Sequence, residues 1–119
     1  MRIQIRKRNL ELTPELASHV DRRLRFSLGR FAGRLRSAVV NLEDVNGPRG
    51  GVDQECKLTI QTNWHSQIVI EERDADMFVA VTRAADRAGR AVGRQTSLRY
   101  GAGIPRPVKV RLGNSGDQS

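Results

Sequence analysis

The repeat of apolar residues along this chain switches between a two-residue and a helical period, and the order of those switches leaves few folds open. Met1, Ile3 and Ile5 alternate with Arg2, Gln4 and Arg6, the pattern of a strand with one wet face. Thr13, Pro14 and Glu15 then supply an N-cap, a residue preorganised for the first helical position and an acid at the positive end of the dipole. Leu16, Val20, Leu24, Leu28, Phe31 and Leu35 follow at spacings that place them on one helix face. Phe26 projects away from that stripe and Gly29 weakens the helix, so a bend or bulge is expected between them.

Ala38 to Val45 is β-branched or alternating and reads as a second strand, ended by the turn residues Asn46 to Gly51. Cys56, Leu58 and Ile60 alternate with Lys57, Thr59 and Gln61 in a third strand. The Asn63-Trp64-His65-Ser66 turn leads to a fourth around Ile68 to Ile70. Asp74 is the expected cap of a second helix, with Asp76 in its first turn and Met77, Val81, Ala84, Ala85, Ala88 and Val92 on its apolar side. The order β-α-β-β-β-α defines an α+β fold. A strand-helix-strand crossover makes the first two strands parallel and hairpins make the rest antiparallel, so the sheet is four-stranded and mixed. Both helices must cover its apolar face. Residues 1–98 form one domain on this reading, and residues 99–119, rich in Gly, Pro, Ser and Arg, a flexible basic tail.

Arg83, Arg87, Arg90 and Arg94 recur every four, three and four residues, which gathers them in a narrow sector well to the side of the apolar stripe. No carboxylate stands among them in the row. A guanidinium stays charged and presents a planar fork that matches phosphate oxygens, so a polyanion such as RNA is the expected ligand. The net charge of +8 is sorted rather than spread, because residues 37–73 carry three basic and six acidic side chains while both helical segments are basic. Two helices on one side of a sheet expose their outer faces together. Arg22, Arg25, Arg30 and Arg36 of the first helical segment are therefore expected to join the row of the second. The bland reading is a solvated arginine-rich surface.

Other chemistries find little footing. The lone Cys56 reads as a core thiol, His19 as a solvated helix residue, and no ligand spacing suggests a metal or cofactor site. Nucleophile elbow, phosphate-binding glycine loop and paired carboxylates are all missing, so the chain reads as a binder rather than an enzyme. No apolar run is long enough for a signal or a membrane span, which points to the cytoplasm. Trp64 and His65 at a hairpin tip, Tyr100 and the outward Phe26 could stack on bases or be incidental surface residues.

Three segments carry a family likeness. Leu12-Thr13-Pro14-Glu15-Leu16, Leu42-Glu43-Asp44-Val45-Asn46-Gly47 and Asp74-Ala75-Asp76-Met77-Phe78-Val79-Ala80-Val81 resemble, in this order, the ribosome hibernation promoting factor and ribosome-associated inhibitor family, over about residues 1–98. The resemblance implies a translation inhibitor that occupies the mRNA and tRNA channel of the small ribosomal subunit, contacts ribosomal RNA and preserves idle ribosomes in stress or stationary phase. Arg87, Arg90 and Arg94 match family RNA-contacting positions on the second helix, whereas Arg83 falls where relatives need not be basic. Arg23 matches most directly on the first helix, and Arg22, Arg25 and Arg30 are supported by local charge.

Long members of that family carry a second domain that pairs ribosomes, and residues 99–119 are too short and polar to be one. Some short members end in an acidic tail, whereas this one is basic. A separate ribosome-dimerising partner or simple blockade of single ribosomes both remain open, and a monomer off the ribosome is expected. The competing readings are a protein-interaction or transcriptional modulator with an acidic partner, and a general structured-RNA-binding assembly factor.

Overall fold

Thr13 caps as its position implies: its Oγ1 accepts the Leu16 amide at 3.1 Å, and α1 (Pro14–Leu28) follows with Pro14 in its first turn. Before it lies β1 (Arg2–Arg8), and after it a 3₁₀ segment (Gly29–Arg34), β2 (Leu35–Asp44), β3 (Gln54–Thr62), β4 (Gln67–Asp74) and α2 (Met77–Tyr100). The computed structural model describes residues 1–45 and 53–101. The glycine-rich turn at 47–51 and all but the first three residues of the 99–119 segment lie outside the described residues.

The sheet order is β1-β2-β3-β4, with β1 parallel to β2 and the other two pairs antiparallel, so the expected four-stranded mixed α+β sheet is present. Alternation sends Ala38, Val40 and Leu42 of β2, Cys56, Leu58 and Ile60 of β3, and Ile68 and Ile70 of β4 into one core. Leu16, Val20, Leu24 and Leu28 of α1 and Met77, Ala80, Val81, Ala84, Ala85, Ala88 and Val92 of α2 enter the same core. Both helices therefore lie on one face. Each fully buried Leu or Val contributes roughly 1.5–3 kcal/mol, so this shared core is what holds the helices side by side.

Three local expectations are corrected. The apolar spacing runs on to Leu35, but the α-helix stops at Leu28, and Leu35 opens β2 instead. Gly29 and Gly33 weaken a continued α-helix, and the chain takes a tighter 3₁₀ path on which Phe31 and Leu35 still reach the core, so the stripe alone could not show the break. Phe26 remains 78% exposed, because the change of path comes after it. Arg36 is exposed in the irregularity at the start of β2, not on a helix. Finally, Asp76 rather than Asp74 caps α2, accepting the Phe78 amide at 2.9 Å. Asp74 is the last residue of β4, paired with Gln54, and it accepts the Asp76 amide in a tight Asx-type turn.

Candidate nucleic-acid interface

The outer surface of α2 is built by one helical sector, and Arg83, Arg87, Arg90 and Arg94 are all exposed along it. Their surroundings divide the row in two. Arg83 donates to Asp74 at 3.2 Å, and Arg87 to both the Glu72 carboxylate and the Glu71 carbonyl. The row thus has carboxylate partners after all, supplied by the end of β4, the strand that leads directly into α2. Arg90 and Arg94 make no hydrogen bond or ion pair among the described residues. They border a cleft of about 560 Å³ between the helices, together with Phe26, Ser27 and Arg30.

Glycine sets the depth of that cleft. A side chain on Gly89 would place its Cβ 2.9 Å from the Ser27 carbonyl oxygen, so α1 and α2 approach backbone to backbone at this point. One turn further on, Gly93 leaves the cleft open beside the Phe31 ring. Arg30, on the 3₁₀ segment, lies with its guanidinium carbon 4.8 Å from the Phe31 ring centroid and lines the same cleft. Arg30, Arg90 and Arg94 therefore face one depression from two elements.

The remaining expected residues are more occupied. Arg23 spans the helices to Asp86 at 3.0 Å, its Nε is buried without a partner, and its guanidinium lies 5.2 Å from the Phe26 ring. It serves first as an interhelical clamp. Arg25 pairs with Asp21 one turn before it at 2.9 Å, and Arg22 donates to Ser18 at 3.3 Å. Such exposed pairs contribute only about 0–1 kcal/mol, so they can exchange for a stronger anion. His19 is not merely solvated: its Nε2 lies 3.1 Å from the Phe78 carbonyl oxygen and 2.9 Å from the Thr82 hydroxyl, tying α1 to the start of α2.

Sequence reasoning missed Asp86 as a clamp and Gly89 and Gly93 as the floor. A signal was present, because Ala85, Gly89 and Gly93 recur every four residues and mark a stripe along which another helix can come close. Cys56 is buried in β3 as expected, and burial foremost, then Glu55 and Glu72, pushes its thiol up to about 12. The described residues contain no cluster of three or more potential metal ligands, and no helix long and apolar enough to cross a membrane.

A four-stranded mixed sheet carrying two helices on one face, with an arginine-lined cleft between those helices, defines the class as an α+β domain. Residues 3–98 match the family described as "Sigma 54 modulation protein / S30EA ribosomal protein", and the chain belongs to that family, the family of the hibernation promoting factors. The N-terminal domain of Protein Y from Thermus thermophilus is similar in structure, with a TM-score of 0.66 and 28% sequence identity over 80% of this chain and 99% of that one. A ribosomal subunit interface protein from Coxiella burnetii shares the fold, with a TM-score of 0.67, 12% identity and coverage of 82% and 99%. No curated protein matches the sequence.

Proposed function

We propose that this chain binds small-subunit ribosomal RNA in the mRNA and tRNA channel, blocks translation by occupying it and promotes ribosome hibernation. The observation that carries the reading is the convergence of Arg30, Arg90 and Arg94 on one interhelical cleft with no internal carboxylate bonded to them among the described residues. Membership of a ribosome-associated family supports it, as does the likeness to a protein named for the ribosomal subunit interface. Phosphate contacts position a protein without reading bases, and two helices at fixed spacing select for backbone shape. Binding is then electrostatic and non-enzymatic, and falls steeply with salt.

Arg90, Arg94 and Arg30 are the primary contacts on this reading. Arg87, Arg83, Arg22, Arg23 and Arg25 join by exchanging their present partners for phosphate. Residues 1–98 supply the RNA-binding domain on this reading, residues 99–119 carry a net positive charge in sequence, and the protein acts in the cytoplasm. Replacing Arg87, Arg90 and Arg94 together by alanine should abolish co-sedimentation with small subunits while circular dichroism stays unchanged. Undiminished co-sedimentation would reject the site. Sedimentation of native lysate with the light fractions only would favour the acidic-protein-partner reading, and binding to any structured RNA with equal strength the assembly-factor reading.

A further inference from the structure

Trp64 at the β3–β4 turn and Tyr100 at the end of α2 meet edge to face, with ring centroids 5.8 Å apart and planes at 79°. Two guanidinium groups attend them: Arg34 lies 3.8 Å from the Tyr100 centroid, and Arg99 lies 5.6 Å from that of Trp64. The support is rigid. The Asn63 amide donates to the Arg34 carbonyl at 3.0 Å, its side chain to the Gly33 carbonyl at 3.3 Å, and the Ser66 hydroxyl to Gln95 at 3.2 Å. The hairpin tip is thus tied both to the 3₁₀ segment and to α2.

Trp64 is only half-buried, and it borders an open hollow with Gln95, Leu98 and Arg99. Leu98 is 87% exposed, an apolar side chain on an otherwise charged surface. It also borders a second hollow lined by Arg30, Gly93 and Arg94, residues that line the arginine cleft as well. The three depressions share walls and make one track along α2. From Arg90 to Leu98 that track rises about 12 Å. Positive charge that follows a backbone, ending on an aromatic ring, an apolar side chain and a guanidinium, is the combination that holds single-stranded nucleic acid.

We infer that Trp64, Leu98 and Arg99 receive an unpaired nucleobase of the RNA strand whose phosphates lie against Arg30, Arg90 and Arg94. The inference rests on the RNA reading above and adds the feature recognised: an unstacked nucleotide beside a phosphate run. Trp64 is the sole tryptophan of the chain, so its emission reports on the site directly.

The full chain is titrated at low salt with oligouridylate and, separately, with inorganic polyphosphate. Binding is followed by anisotropy of a labelled oligonucleotide and its displacement, and stacking by Trp64 emission with unlabelled ligand. Oligouridylate should quench the emission with the same midpoint as the anisotropy, whereas polyphosphate should bind and leave it unchanged. Trp64→Leu should weaken oligouridylate roughly tenfold and polyphosphate not at all, with Trp64→Phe retaining most of the affinity. Oligouridylate binding with unaltered emission, or equal loss of both ligands in Trp64→Leu, would overturn the stacking inference and leave the arginine cleft standing. Failure of oligouridylate to bind the unaltered protein would overturn both, and a preference for an acidic polypeptide that quenches Trp64 would reassign the track to a protein.

Discussion

Arg83 and Arg87 share a helix face with Arg90 and Arg94, yet the two pairs meet different neighbours. The first two lean toward β4 and are held by Asp74 and Glu72, while the second two lean over the cleft beside α1. Identical side chains at identical spacing thus acquire different chemistry from the element alongside. The β4 half is charge-balanced by carboxylates, and the cleft half is an unpaired cationic surface among the described residues, the anion site proposed above. Any ligand must displace a carboxylate from the first but not from the second.

The largest effect should come from exchanging the halves as targets. Arg90→Ala with Arg94→Ala should weaken ribosome binding by about two orders of magnitude, since each charge-assisted contact contributes roughly 1.5 kcal/mol or more. Arg83→Ala with Arg87→Ala should cost about tenfold or less. Each lost phosphate contact should also lower the salt slope of binding by about 1. Equal losses for the two pairs, measured by filter binding across a salt series, would erase the distinction.

A smaller effect is expected where the cleft is built. Gly89→Ala gains up to about 1 kcal/mol in helix propensity but drives a Cβ against the Ser27 carbonyl, so the helices must part. Overpacking of this kind typically costs about 1–3 kcal/mol, and the net loss should appear as a lower urea midpoint with an unchanged m-value. An unchanged midpoint would mean that the helices separate freely and that the cleft has no fixed width.

Releasing the charge-balanced half should act more gently. Glu72→Gln frees Arg87, so RNA affinity should rise a few-fold while stability changes by less than about 1 kcal/mol. A drop in affinity would show that Glu72 orients Arg87 for its ligand rather than competing for it. The same substitution reaches Cys56, whose register partner is Glu72 and whose thiol is raised partly by that charge. Because the folded thiol ionises near 12 and an ordinary one near 9.0, its contribution to stability is complete below about 9 and is lost as pH rises toward 12. Glu72→Gln should bring the folded ionisation down slightly, read by thiolate absorbance, and Cys56→Ala should flatten that part of the alkaline decline. An alkaline limb unchanged in Cys56→Ala would discount the thiol.

The strands and helices were legible because their apolar periods are local, and so was the arginine row. Three features were not. Leu35 keeps the spacing of α1 although the helix has ended, because a 3₁₀ path can deliver the same residues to the core. Asp74 and Asp76 both suit a cap, and only the length of β4 decides between them. The division of the row depends on which carboxylates tertiary packing brings near, and neither Glu72 nor Asp86 advertises its partner in the sequence. Position on a helix predicts where an arginine points, but not what it will find there.

The contact of Gly89 with the Ser27 backbone has one more consequence. Main chain braced against main chain leaves no rotamer to adjust, so the gap between the two helices acts as a fixed gauge, set when the protein folds rather than when it meets a ligand. Little ordering then remains for the moment of capture. Arrival of the proposed RNA ligand should be governed by long-range attraction and vary with ionic strength, as expected of a steered encounter between a preorganised cationic surface and a polyanion.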